Sequence, residues 1–272
     1  ASRLLIFYKF GVDIKMLFPV KFKFPFDNEI LLSQLLDKDN DKRAAALNEI
    51  RIGLVFKTTS MDRYPSSIDY INSLSRHFQN IHDIGCSDGS ASISLMKNLS
   101  YSNYFALDLN INVKVSKSGS NYLLLDDHGN FHMYENKYLR IYLDPMGLHK
   151  SFFEKLISWL YRTTKTPRSE VTNVELVNPE CKKIRNVKFK KFDLFRDQLE
   201  EKSDLIIIFN LLNKFEEKRD VEMVKDFLLK SLNDNGIALI GENEPYEKAT
   251  IYQKEEELKI VKTINGGSKI AF

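Results

Sequence analysis

The sequence predicts an α/β protein with a doubly wound, mostly parallel seven-stranded sheet, helices on both faces and one long inserted segment. Three observations carry that prediction. Short apolar runs alternate with amphipathic stretches over residues 80–110 and again over 187–264. Asp204–Asn210 (DLIIIFN) and Ile237–Gly241 are almost wholly apolar, as central parallel strands buried on both faces must be. The stretch 110–186 breaks this rhythm and is far longer than an ordinary strand-to-strand crossover.

The elements follow in order. Glu29–Ile52 places Ile30, Leu31, Leu35, Leu36, Ala44, Leu47 and Ile50 at helical spacing, with a break where Asp37–Asp41 turns polar. Pro65 suits a helix start, and the helix it opens runs to about Phe78. Asn80–Ile84 is a short strand, and Gly85-Cys86-Ser87-Asp88-Gly89-Ser90 is a loop of small residues. Ala91–Leu99 is a helix with Ile93, Leu95, Met96 and Leu99 facing inward, and Tyr104–Leu107 is a strand that ends at Asp108. Strand, loop, helix and strand in that order form a right-handed crossover between parallel strands. Tyr122–Leu125 and Phe131–Tyr134 flank Asp127-His128-Gly129-Asn130, a hairpin signal, and Ser151–Arg162 reads as an aromatic helix that includes Trp159. Val187–Phe192, Asp204–Asn210, Ile237–Gly241, Ala249–Tyr252 and Leu258–Ile264 complete the strands. Val221, Val224, Leu228 and Leu232 mark one face of a helix, which Asn235-Gly236 ends with a left-handed stop. The expected organisation is a leader over 1–79, an α/β core over 80–110 and 187–272, and an inserted hairpin-plus-helix cap over 111–186.

Composition excludes several function classes. A chain of 272 residues buries a core without disulfide or metal staples, and 43% hydrophobic with 12% aromatic residues is too rich for disorder. Two cysteines, Cys86 and Cys181, make no disulfide framework, and they and the five histidines show no metal-ligand spacing. Forty basic against 37 acidic residues give a net charge of only +3, which speaks against nucleic acid as a partner. No apolar run approaches the ~20 residues of a spanning helix, and no secretory leader pattern is present, so the chain reads as cytoplasmic. Two basic patches stand out locally. Arg3, Lys9, Lys15, Lys21 and Lys23 face a lone acid, Asp13, and fit either a first helix and strand packed on the core or a peripheral contact with a membrane or partner. The aromatic helix at Ser151–Arg162 allows the same two readings. Lys182, Lys183, Arg185, Lys188, Lys190 and Lys191 read as a solvated strand flank.

The segment 81–99 carries the chemistry. A doubly wound sheet binds ligands outside the carboxyl ends of its strands, where small residues let the backbone approach. Asp108, 19 residues beyond Gly89 and at the end of the next strand, suits both ribose hydroxyls of a nucleoside. A dinucleotide requires G-x-G-x-x-G, but Ser87 occupies the middle glycine position and Ser92 the last. S-adenosylmethionine has no pyrophosphate and needs less glycine, and its cationic groups suit Asp83 and Asp88. Asp88 fits a helix N-cap equally well.

HDIGCSDGSASISL at His82–Leu95 resembles motif I of class I S-adenosylmethionine-dependent methyltransferases, which have a Rossmann-like fold. FALDLN at Phe105–Asn110, FKKFDLF at Phe189–Phe195, DLIIIFNLLN at Asp204–Asn213 and LKSLNDNGIALIGEN at Leu229–Asn243 are similar to the later motifs of that family, in the expected order. The segment RYP at Arg63–Pro65, the hairpin and NLLN together resemble a bacterial subgroup, some of it encoded near surface-polysaccharide genes. The resemblance implies S-adenosyl-L-methionine as cofactor. It implies binding by Arg63, Asp83, Gly85, Cys86, Ser87, Asp88, Gly89, Asp108, Leu109, Asp193, Leu194 and Asn210, with Asp193 meeting the adenine amine. A hydroxyl or ammonium acceptor must also lose a proton. Asn210 and Asn213 after the fourth strand, Glu242 at the end of the fifth, and His128 in the hairpin are the candidates for that end of the site. NLLN lacks the prolines and aromatic of the loop that amino-directed nucleic-acid methyltransferases carry. The reading is O-methylation of a small-molecule or glycan-type acceptor. Protein or RNA methylation and a non-catalytic module at a membrane surface are the alternatives.

Overall fold

The computed structural model describes residues 20–22, 30–37, 40–52, 55–56, 62–142, 155, 159, 170–212, 218–243 and 246–272. The elements in chain order are β1 (Val20–Phe22), α1 (Leu31–Gln34), α2 (Asn40–Glu49), β2 (Arg51–Ile52), β3 (Val55–Phe56), α3 (Pro65–Ser73), β4 (Phe78–Ile84), α4 (Ile93–Asn98) and β5 (Tyr101–Asp108). Then come β6 (Asn112–Ser118), β7 (Asn121–Leu125), β8 (Phe131–Glu135), β9 (Leu139–Tyr142), β10 (Glu170–Glu175), β11 (Val187–Lys191) and β12 (Ser203–Phe209). The last four are α5 (Lys218–Ser231), β13 (Leu232–Asn243), β14 (Glu247–Lys254) and β15 (Leu258–Ile264). The chain divides into two compact units, residues 1–58 with 112–176 and residues 59–111 with 177–272.

The second unit is built on a mixed seven-stranded sheet in the order β11-β5-β4-β12-β13-β14-β15. The pairs from β11 to β13 are parallel, and β14 and β15 add as an antiparallel meander. Alternate residues of each strand enter separate cores, as the period of two requires. Tyr104, Ala106, Leu205, Ile207 and Leu239 pack with Ile68 and Ile71 of α3 and Ile93, Leu95 and Met96 near α4. Phe105, Leu107, Ile206, Ile208 and Ala238 pack with Val224 and Leu228 of α5. These strands read as continuous apolar runs because both faces are covered.

The first unit carries an antiparallel sheet in the order β1-β9-β8-β7-β6-β10 and the small pair β2-β3. Val113, Val115, Leu124 and Met133 bury one face of that sheet with Leu32 and Leu35, beside α1, and Leu47 of α2. Beside this core, the buried Glu135 accepts from the Leu32 amide at 2.8 Å and from Arg140 Nη2 at 2.9 Å. A buried carboxylate without such donors costs several kcal/mol.

Several expectations need correction. The leader does not end at residue 79. Residues 59–79 belong to the seven-stranded unit, because Ile68 and Ile71 bury into its core. The insertion is shorter than 111–186: Ile111, Val177 and Cys181 all lie in that same core. Its described residues also hold more strands than one hairpin. Residues 112–175 supply five strands, and the N-terminal residues complete their sheet and core. The hairpin itself is present, β7 pairing antiparallel with β8. The aromatic helix and the first basic patch fall almost wholly outside the described residues. The helix expected to stop at Asn235-Gly236 ends at Ser231, and Asn235, at φ 59°, instead turns the chain within β13, where the pairing register with β12 shifts. Among the described residues, no helix is long and apolar enough to cross a membrane.

Candidate functional site

The strand order reverses at β4, whose neighbours are β5 on one side and β12 on the other. The loop after Ile84 therefore opens where a ligand finds a crevice. Gly85, Ser87 and Gly89 hold it at φ 79°, 60° and 84°. A Cβ at Gly89 would stand 2.7 Å from Phe189 Cζ and 2.9 Å from Cys181 Sγ, so only glycine fits. The amides of Gly85 and Cys86 donate to the Leu107 carbonyl at 2.7 and 3.2 Å, which ties the loop to the end of β5.

Asp108 sits at that end. One carboxylate oxygen accepts from the Ser87 amide and the other from the Asn110 amide, each at 2.9 Å. A carboxylate accepts at several lone-pair sites on its two oxygens, which is the acceptor chemistry a diol's hydroxyls need. The Phe192 amide donates to the Asp108 carbonyl at 3.0 Å and sets the end of β11 beside it. Asp193 follows there, half-buried, accepting from the Phe195 amide at 3.0 Å. Asp108 and Asp193 thus end adjacent strands. Leu109 is 49% exposed, whereas Leu194 is buried in the core on the α5 face.

The remaining acids have different duties. Asp83 is buried beneath the loop, accepting from Tyr104 at 2.9 Å and from the Ser92 hydroxyl. Burial raises its pKa to about 6 against the pull of these two donors, and Asp108 pushes it in the same direction as burial. Asp88 accepts from the Ser90 amide at 2.9 Å and the Ser90 hydroxyl at 2.8 Å, a local turn within the loop. It is not the N-cap: Gly89 holds that position before the helical turn at Ser90–Ser92, and Ser92 holds it before α4. Cys86 is buried and belongs to no disulfide.

On the other side of β4, the Asn210 amide donates to the Gly241 carbonyl at 2.9 Å, and its side-chain oxygen accepts from the Asn243 amide at 2.8 Å. Asn210, at φ 55°, locks the ends of β12 and β13 together. Asn243 Nδ2 donates to the Arg63 carbonyl at 3.0 Å. Tyr64 packs on Phe209 with ring centroids 4.1 Å apart, and Glu247 accepts from the Ser66 and Ser67 amides, both at 2.9 Å. The start of α3 is thereby clamped over the strand ends. Sequence reasoning missed Tyr64 and Glu247, although the lack of an N-cap side chain before Pro65 was the available signal.

Glu242 is 2% exposed, and its Oε1 has no hydrogen-bond partner among the described residues; Asn243 Oδ1 and Ser87 Oγ share that state. Unpaired buried polar atoms are costly, and three of them in the loop and strand ends around β4 mark a place that expects a polar ligand. Asn213 lies outside the described residues. His128 is exposed in the β7–β8 turn of the other unit. No group of three metal-binding side chains occurs among the described residues.

Comparison with known proteins gives a limited result. No protein-family model matches the chain, and no curated protein matches it. Among solved structures it is similar to the N-methyltransferase NodS from Bradyrhizobium japonicum, at 14% identity and TM-score 0.34, over 65% of this chain and 64% of that one. A TehB-like S-adenosylmethionine-dependent methyltransferase from Corynebacterium glutamicum matches at 16% identity and TM-score 0.32, over 64% and 60%. A S-adenosylmethionine-dependent methyltransferase from Clostridium acetobutylicum matches at 11% and 0.36, over 72% and 71%. The chain thus spans just under two thirds of the first two relatives. At TM-scores below 0.5 these likenesses decide nothing about chemistry, which the site residues have to carry.

Proposed function

We propose that the chain is a S-adenosylmethionine-dependent methyltransferase of the cytoplasm, acting on a small-molecule or glycan-type hydroxyl. The observation that carries this reading is the pairing of the Gly85–Gly89 loop with Asp108 at the switch point of the sheet. The loop supplies closely approachable backbone, and Asp108 supplies acceptors suited to a ribose diol. Asp193, at the end of the adjacent strand, is positioned for an amino group on the base. The cofactor, when bound, supplies a methyl group already activated on a sulfonium. The protein's remaining task is to align the acceptor and take its proton. Glu242, buried and unpaired at Oε1, is the group best suited to receive that proton, and Asn210 holds the strand ends that frame it. The fit to the cofactor rests on the positive-φ loop and on the orphaned polar atoms Ser87 Oγ and Asn243 Oδ1. Methylation of protein or RNA has weaker support, because Lys188 and Lys190 of the basic run lie over the Phe105 ring.

Transfer of a tritiated methyl group from S-adenosylmethionine into fractionated cell extract tests the reading. Label is expected in small-molecule or glycan material and should vanish with Asp108→Ala. Label confined to protein or RNA overturns the acceptor class, and no label in any fraction counts against methyl transfer.

A further inference from the structure

The chain leaves the seven-stranded unit after Ile111 and re-enters it at Val177, and it does both beside the candidate cofactor site. On the way out, the Asn110 amide donates to one carboxylate oxygen of Asp108 at 2.9 Å. On the way back, the segment 177–183 lies against the Gly85–Gly89 loop, where a Cβ on Gly89 would meet Cys181 Sγ. Asn178 is the residue of that segment that bonds to the loop most extensively.

Three hydrogen bonds fix Asn178 and the orientation of its side-chain amide. Its backbone N–H donates to the Asp88 carbonyl at 2.8 Å. Its Oδ1 accepts from the Glu180 amide at 2.9 Å, and its Nδ2 donates to the Ser90 hydroxyl at 2.7 Å. The Glu180 amide can only donate, so the side-chain oxygen must face it and the NH₂ group must face Ser90. Ser90 in turn gives its one hydroxyl proton to Asp88 Oδ2 at 2.8 Å. A relay therefore runs from Asn178 through Ser90 to the buried carboxylate of Asp88.

The loop needs such a restraint. Gly85, Ser87 and Gly89 all have positive φ, and Ser87 is not a glycine, so its surroundings must maintain the conformation. The end of β5 restrains the first half. The Leu107 carbonyl takes the Gly85 and Cys86 amides, and the Asp108 carboxylate takes the Ser87 amide. Asn178 restrains the second half, at Asp88 and Ser90. A loop held at both halves before a ligand arrives loses less freedom on binding, and the difference appears as affinity.

We propose that Asn178 is a positioning residue for the cofactor: its NH₂ group, acting through Ser90, keeps the second half of the Gly85–Gly89 loop in the shape that binds S-adenosylmethionine. Asn178 acts through Ser90 and Asp88 and takes no part in the transfer step. The identity of the ligand rests on the methyltransferase reading, whereas the hold on the loop does not. Asn178 also serves the short helical turn Cys181–Lys183 through its bond to the Glu180 amide. Asn178→Ser separates the two roles. It keeps a side-chain oxygen suited to that amide and lacks the NH₂ group that reaches Ser90.

The full chain is compared as wild type, Asn178→Ser, Ser90→Ala and the double variant. In ligand-free protein, hydrogen exchange at the Ser90 amide should accelerate by about fivefold or more in Asn178→Ser, and exchange within α5 should not change. Calorimetric affinity for S-adenosylhomocysteine should fall by about fivefold or more in each single variant. The double variant should bind no more weakly than the weaker single one, because both substitutions break one relay. With tritiated S-adenosylmethionine and cell extract, Asn178→Ser should raise the cofactor KM by a similar factor and leave the rate at saturating cofactor unchanged. A mere loss of folded protein would lower that rate instead. Unchanged exchange at Ser90, undiminished S-adenosylhomocysteine binding by Asn178→Ser, fully additive losses, or a lowered rate at unchanged KM would each overturn the proposal. No binding to the wild type overturns the methyltransferase reading and with it the ligand named here, and exchange at Ser90 separates that failure from a failure of the hold on the loop.

Discussion

Asp83 and Gly89 show how single residues set the conditions for the site. Asp83 titrates near 3.8 when unfolded and at about 6 when folded, chiefly through burial. Between those values the folded state holds the extra proton, so the stability this group contributes is present below pH 4 and is lost as pH rises to 6. Asp83→Asn removes that dependence. Denaturant titrations at pH 4, 5, 6 and 7 should show the variant gaining on the wild type by on the order of 2 kcal/mol across the window, then staying level. Gly89→Ala puts a Cβ against Phe189 and Cys181 at a φ of 84° and should destabilise by roughly 2 kcal/mol or more, read as a lowered thermal midpoint. At this scale the sequence was legible where backbone chemistry is local: the small-residue loop and the acid at the end of the next strand stand where expected. It was not legible where a side chain had two local uses. Asp88 suited both an N-cap and a cofactor contact in the sequence, and only the folded loop shows that Gly89 takes the N-cap position while Asp88 bonds to Ser90.

At the scale of elements, the strands were legible and their partners were not. DLIIIFN and the run from Ile237 announce two-faced burial, and they occupy β12 and β13. The start of α3 shows the limit. Tyr64 offers no capping side chain, and the missing acceptor is Glu247, 180 or more residues away in sequence, meeting the Ser66 and Ser67 amides. Glu247→Ala leaves those amides unpaired and should cost about 1–2 kcal/mol. Hydrogen exchange at Ser66 and Ser67 should accelerate by roughly tenfold, whereas exchange within α5 should not change. The same loss frees the Arg63 segment that Asn243 holds from the other side.

At the scale of the whole molecule, the insertion was visible as a broken rhythm, but its limits were not. Long-range antiparallel pairing leaves no local signature, and β1 finds β9 about 120 residues on. The N-terminal helices and residues 112–176 therefore share a core that no window of sequence reveals. Two compact units, each with its own core residues, predict two separable unfolding transitions in calorimetry. Leu124→Ala empties space in the core of the first unit and should lower one transition, by on the order of 3 kcal/mol in stability. Leu205→Ala acts in the seven-stranded unit and should lower the other. A single transition moved equally by both variants would contradict the division.

The central claim is that the loop at Gly85–Gly89 and Asp108 form a nucleoside-cofactor site. Isothermal titration of S-adenosylhomocysteine into wild type and Asp108→Ala tests it most directly. The account predicts one saturable site in the wild type and at least a tenfold loss of affinity in the variant, the equivalent of about 1.4 kcal/mol. No binding to the wild type, or equal binding to both proteins, would contradict it.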